Sequence, residues 1–335
     1  MREIRHALKR LKSRRDLKLR MRIRGFFQHR SPMRFEVKGK EATGSPPARR
    51  CGLFVKEISM HRFKTKFLDG LRPRNIGHRG AAGHAPENTI ESFRRALEMG
   101  SQLLELDVHR TKDWVIVVCH DERVDRMTNG AGLIREMKRA EVAKLDAGAR
   151  WSPDGRLYPF RSQGIRIPTL AEVFETFPGV PLNIEIKQAD PPMVDDVVKL
   201  IGRYGAEESV NLAAENAAIM RAIRDSGWEG ATGYSLDDVR AFMEAMASNR
   251  LDRYEPPGVA LQVPERWEGI EVVTEAFVHA AHRVGVEVHV WTVNHMADMK
   301  RLLDLGVDGL VTDFPDVASL AIERFASEGA RATGL

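Results

Sequence analysis

The chain has 335 residues, of which 43% are hydrophobic and 30% charged, the balance of an enzyme-sized water-soluble fold rather than a fibrous or disordered polymer. Two distant cysteines, Cys51 and Cys119, exclude a disulfide framework and fit no zinc or redox spacing, and no apolar run reaches the ~18 residues that span a bilayer. The net charge of +5 is uneven: residues 1–50 hold 17 Lys and Arg against 4 Asp and Glu, a local +13 that leaves the remainder at −8.

In chain order, residues 1–59 read as a basic, disordered extension, with Met60 as an alternative start. Such an arm offers weak electrostatic contact to an anionic membrane surface or to nucleic acid. It carries no zinc-ligand or RNP-like pattern, so nucleic acid is disfavoured as a partner. The absence of an apolar signal-peptide core and the sparse cysteines predict a cytoplasmic protein.

From residue 73 to 327 the pattern is short apolar runs alternating with helical stretches, which predicts βα units around a parallel sheet. Strands are expected at 76–79, 103–108, 182–187, 209–214, 230–234, 259–263, 288–293 and 309–313. Helices are expected at 89–99, 193–204, 215–226, 237–248, 274–284 and 295–305. Eight such units over this length predict a TIM (β/α)8 barrel.

One segment breaks the alternation. Residues 114–120 follow the second strand too closely for a parallel crossover, so they are expected to form the return arm of a β-hairpin above the barrel mouth. A turn centred between Asp113 and Trp114 would place His120 opposite Asp107. The Gly-rich stretch 125–168 is too long for an ordinary loop and is expected to be a small insertion over the mouth.

Strand parity then groups the chemistry. Glu105 and Asp107 share a face, as do Asn183, Glu185 and Lys187, all toward the C-terminal strand ends where barrel active sites are built. Converging buried carboxylates repel unless a cation sits among them, and an all-oxygen donor set suits Ca²⁺ or Mg²⁺. The structural alternative is a closed network in which Arg79 and Lys187 neutralise the carboxylates. His84 and His109 read as a loop and a rim histidine, and Glu87 and Asn88 as helix-capping residues. Cys119 reads as a small apolar strand residue rather than a nucleophile.

The segments H-R-G at 78–80, P-E-N-T at 86–89, E-L-D-V at 105–108, V-C-H-D at 118–121, N-I-E-I-K at 183–187 and W-T-V-N at 291–294 together resemble the glycerophosphodiester phosphodiesterase family, from about residue 75 to 315. That resemblance implies a TIM barrel with a small insertion after the H-D motif. It also implies metal-dependent hydrolysis of glycerophosphodiesters to glycerol 3-phosphate and an alcohol. Carried over, it makes His78 and His120 the general acid/base pair, Glu105, Asp107 and Glu185 the metal ligands, and Arg79 and Lys187 phosphate-binding groups. Trp291 becomes an apolar wall for substrate and Glu87 an auxiliary residue. Arg126-Met127-Thr128 stands where related sequences often read R-T-T, a departure that bears on substrate shaping alone. A lysophospholipase D activity is the alternative within the same chemistry. A phosphate- or nucleic-acid-binding role through the basic arm is the alternative outside it.

Overall fold

The computed structural model describes residue 63 and residues 65–333. The basic extension assigned to residues 1–59 lies outside the described residues. The strands are β1 (Arg74–Gly77), β2 (Leu103–Arg110), β3 (Ile116–Val118), β4 (Leu182–Ile186), β5 (Val210–Ala213), β6 (Ala231–Thr232), β7 (Ala260–Pro264), β8 (Arg266–Trp267), β9 (Ile270–Glu271), β10 (Glu287–Trp291) and β11 (Gly309–Thr312). Eight of them run parallel in the order β6-β5-β4-β2-β1-β11-β10-β7. The two ends approach each other where Val259 N donates to Thr232 O at 2.9 Å, so the sheet curls into a nearly closed barrel. The expected TIM-barrel architecture is therefore present, with β8 and β9 forming a separate two-stranded ribbon.

The helices are α1 (Ile90–Glu98), α2 (Arg139–Val142), α3 (Leu170–Thr176), α4 (Val194–Tyr204), α5 (Ala217–Asp225), α6 (Leu236–Ala247), α7 (Glu275–Arg283), α8 (Met296–Asp304) and α9 (Pro315–Thr333). Their starts follow from capping chemistry. The hydroxyls of Thr89, Thr169, Ser235 and Thr274 each accept a backbone N–H of the first turn, and Thr169 and Ser235 complete capping boxes with Glu172 and Asp238. Helix α1 thus takes Thr89 as its cap, and the expected capping role of Glu87 and Asn88 is not what the structure shows.

Two large apolar clusters fill the space between strands and helices, one around β2, β4 and β5 and the other around β7, β10 and α8. The N-terminal end of the barrel is plugged by Phe67 and Leu68 against Ile76, Leu103, Val259 and Val311. Asp125–Pro168 carries a short 3₁₀ turn and α2, and packs Ile134, Val142 and Ile167 together with the preceding Val124 onto Val117 of the hairpin.

The hairpin register differs from expectation by one residue. Strand β3 pairs with β2 as Val108↔Val118, His109↔Val117 and Arg110↔Ile116, so Asp107 meets Cys119 through the Cys119 N–H to Asp107 O bond of 2.9 Å. The cause is a three-residue loop, Lys112–Asp113–Trp114, closed by Thr111 N to Val115 O at 2.9 Å with Trp114 at φ 69°. A turn followed by one left-handed residue is the common three-residue hairpin closure, and it adds one residue to the two assumed from sequence.

Candidate active site

Three carboxylates meet at the C-terminal mouth. Glu105 and Asp107 project from β2 and Glu185 from β4, whose register sets Asp107 beside Glu185. Each offers an oxygen within 4.8 Å of the others. Both expected cations are there: Lys187 Nζ lies 3.0 Å from Asp107 Oδ1 and 2.8 Å from Glu185 Oε1, and Arg79 Nε lies 3.4 Å from Asp107 Oδ2. Asn88, read from sequence as a cap, is instead a support of this cluster. Its amide donates to Asp107 Oδ2 at 2.9 Å and its carbonyl oxygen accepts the Asp107 N–H at 3.3 Å.

The electrostatics separate the two buried carboxylates of β2. Burial would raise Asp107, but Lys187, Arg79 and His120 outweigh it and hold the group well below the usual carboxylate range. Glu105 is escorted more weakly, by His78 and Arg79. Burial and the neighbouring Asp107 push it up to about 7, although its Oε2 accepts the Arg79 N–H at 2.9 Å. Lys187 and Arg79 are both held in their charged forms, the opposing carboxylates outweighing the cost of burial.

Each candidate histidine has a carboxylate on Nδ1. His78 Nδ1 lies 2.6 Å from Asp313 Oδ1, and Asn294 Nδ2 holds the other Asp313 oxygen at 2.7 Å. Burial lowers the His78 imidazole, but the Asp313 hydrogen bond and the Glu105 charge outweigh it, so its affinity for a proton is raised. His120 Nδ1 lies 2.7 Å from Asp121 Oδ1. Both arrangements leave Nε2 as the working nitrogen. His78 lies within electrostatic reach of Glu105, and His120 of Asp107.

The local backbone explains the H-R-G segment. His78 and Arg79 follow the last residue of β1 rather than lying within a strand, and His78 N donates to Thr312 O at 2.9 Å. Arg79 has φ 52°, which turns its N–H toward Glu105. Gly80 at φ 85° passes so close to α1 that a Cβ would lie 2.4 Å from the Ser92 hydroxyl and 2.6 Å from its backbone carbon.

The remaining sequence candidates separate clearly. Glu87 joins Arg79 NH1 at 2.9 Å to Arg126 NH1 and NH2 at 2.8 and 2.6 Å. Trp291 ends β10 at the mouth, about one-third exposed. His109 is buried rather than at the rim, and its Nε2 donates to the His120 carbonyl at 3.2 Å. His84 binds Asp316 at 2.8 Å on the outer surface. Burial pushes the Cys119 thiol up to about 12, which removes it as a nucleophile at neutral pH. Asp121 and Asp313 were given no role by sequence reasoning and Asn88 only that of a cap, although Asp313 has the inward parity of Val311 at the end of β11.

Among the described residues no helix is long and apolar enough to cross a membrane. Residues 78–317 match the model of the glycerophosphoryl diester phosphodiesterase family. A glycerophosphodiester phosphodiesterase of Caldanaerobacter subterraneus subsp. tengcongensis is 36% identical over 249 residues, covering 72% of this chain and 94% of that protein. A Homo sapiens lysophospholipase D is 30% identical over 280 residues, covering 76% and 86%. A solved Oleispira antarctica phosphodiesterase in complex with the product sn-glycerol-3-phosphate is 25% identical, with a TM-score of 0.61 and coverage of 75% and 97%. With barrel, mouth and matched residues in agreement, the chain belongs to the glycerophosphoryl diester phosphodiesterase family.

Proposed function

We propose that this enzyme hydrolyses glycerophosphodiesters to glycerol 3-phosphate and an alcohol, with His78 and His120 as the proton-transfer pair and a divalent cation held by Glu105, Asp107 and Glu185. The observation that carries the reading is the pairing of two imidazoles, each with Nδ1 held by a carboxylate, with a three-carboxylate cluster at the same mouth.

The donor set fits a hard cation. It consists of oxygens alone, it lies within one ion's coordination span, and it includes a carboxyl that burial and crowding push up to about 7. Zinc fits poorly, because both imidazoles already have other work. When bound, the cation supplies positive charge to the phosphoryl oxygens as negative charge concentrates on them.

The chain's own groups account for the rest. Lys187 and the Arg79 guanidinium bind the phosphoryl oxygens by exchanging part of their carboxylate contacts for substrate. One imidazole Nε2 takes the proton of the attacking water or substrate glycerol hydroxyl as its oxygen bonds phosphorus, and the other gives a proton to the oxygen of the departing alcohol as the P–O bond breaks. Where the glycerol hydroxyl attacks, water then opens the cyclic phosphate with the two roles exchanged. Asp313 and Asp121 fix the two rings and stabilise whichever is protonated. The indole of Trp291 forms an apolar wall beside the diester.

A lysophospholipase D reading is the second, supported by the human relative and by the exposed Trp291 face, since it changes only the group attached beyond the phosphodiester. A binding role through the basic arm rests on residues outside those described. Metal-stripped protein incubated with glycerophosphocholine and glycerophosphoethanolamine, with Ca²⁺, Mg²⁺ or neither, should release glycerol 3-phosphate only with a cation, and His120→Ala should release none. Activity confined to lysophosphatidylcholine would favour the second reading, and inertness toward all three would refute both.

A further inference from the structure

Arg126 takes no part in the scheme above, yet it makes the densest set of ionic contacts at the mouth. Its Nε donates to Asp121 Oδ2 at 2.5 Å, while NH1 and NH2 donate to Glu87 Oε2 and Oε1 at 2.8 and 2.6 Å. The second oxygen of Asp121 holds His120 Nδ1 at 2.7 Å, and Glu87 Oε1 also accepts from Arg79 NH1 at 2.9 Å. The result is one unbroken chain, His120–Asp121–Arg126–Glu87–Arg79.

We infer that Arg126 is a positioning residue that sets the His120 imidazole and the Arg79 guanidinium together, so that the proton-transferring ring and the phosphate-binding cation are aligned as a unit. The inference rests on the two-histidine reading. A planar guanidinium meeting two carboxylates on adjacent edges fixes both in direction, which an ammonium does not. The contacts also tie three separate pieces of chain: the turn before α1 through Glu87, the end of the hairpin through Asp121, and the start of Asp125–Pro168 through Arg126 itself.

A purely structural role makes a different prediction. The Arg126 side chain is 46% exposed against 14% for Glu87 and 28% for Asp121, and ion pairs with one partner half open to water contribute modestly to stability. Losing it should therefore cost geometry at the site rather than the fold, and a displacement near 1 Å of a reacting group costs about 10²-fold in rate.

The test is a double-mutant cycle with Glu87→Gln, Arg126→Gln and the pair, reading kcat and KM on glycerophosphocholine with cation present, alongside thermal melting and ¹⁵N–¹H spectra of the His120 ring. Arg126→Gln should lower kcat/KM by about 10- to 100-fold with a melting temperature close to wild type. Arg126→Lys should recover part of that loss, millimolar guanidinium should partly restore Arg126→Ala, and the losses of the two Gln variants should not add. The His120 ring should hold its proton on Nδ1 in the wild type and become a mixture of tautomers in Arg126→Gln. Near-wild-type activity, additive losses, a loss that tracks unfolding, or an unchanged His120 spectrum would overturn the assignment. An active His120→Ala would instead sink the two-histidine reading, while the ring spectrum of Arg126→Gln would still decide whether Arg126 orients His120.

Discussion

Glu105 is the residue whose state most depends on what occupies the mouth. Its carboxyl, pushed up to about 7 by burial and by Asp107, binds a proton more tightly in the folded protein than at its ordinary value of 4.5. A cation held by the trio, as proposed, would have to displace that proton. Binding of Ca²⁺ or Mg²⁺ to the metal-free protein at pH 6 should release about one proton per ion, and at pH 8 close to none, as read by calorimetry in buffers of different ionisation enthalpy. Equal proton release at both pH values would mean that Glu105 is not a ligand. The three carboxylates were legible because charged residues at strand ends with matching parity are conspicuous, and the two histidines because of the motifs that carry them. Their supports were not: Asn88 looks like a cap and Asp121 like half of a motif, and only their tertiary contacts give them roles. Asp313 was the nearest miss, since extending the parity count two residues beyond Val311 finds it.

At the scale of elements, the β1–α1 junction shows how the backbone sets the site. Gly80 combines a left-handed φ with an approach to α1 that leaves no room for a side chain. Gly80→Ala should destabilise the protein by about 2–4 kcal/mol, from the conformational cost and the collision with Ser92 together. It should also depress kcat, because the same shift moves His78 and Arg79; urea denaturation with parallel kinetics would check both. The sequence signalled this turn but could not signal the hairpin register. Nothing in T-K-D-W distinguishes a two-residue from a three-residue closure until Thr111 pairs with Val115 and Trp114 takes a left-handed conformation. His109 moved from rim to interior for the same reason: its partner is a backbone carbonyl, which no side-chain pattern reveals.

Across the whole molecule, the barrel's two ends divide the work. Opposite the mouth, Arg74 is almost fully buried and donates through Nε and NH2 to both oxygens of Glu287 at 3.1 Å, while His289 lies 2.9 Å from the same carboxylate. Burial would raise Glu287, but His289 and Arg74 outweigh it and bring it down to about 2. A folded-state value below the ordinary 4.5 stabilises the protein above that pH, and the stabilisation is lost as pH falls toward 2. Arg74→Met should cost about 3–5 kcal/mol, since it strands a buried carboxylate, and should move acid unfolding to higher pH. The kcat of the molecules that remain folded should be unchanged, and circular dichroism during acid titration with activity at low temperature would test the separation. The barrel itself was readable because eight apolar runs alternating with capped helices admit few other architectures. This ionic floor was not, because Arg74 is far in sequence from Glu287 and His289 and closing the barrel brings it to them.

The pairing of Arg79 and Lys187 with the carboxylate trio also sets an order of events. With Glu105 protonated, the two side-chain cations at the mouth match two ionised carboxylates, and once Glu105 ionises the carboxylates outnumber them by one, a surplus that repels an anionic diester. A divalent ion held by the trio, as proposed, would reverse that sign, and the diester would then restore neutrality. Assembly of the reactive complex would therefore be sequential, metal ahead of substrate, with the diester holding the ion in place once both have arrived.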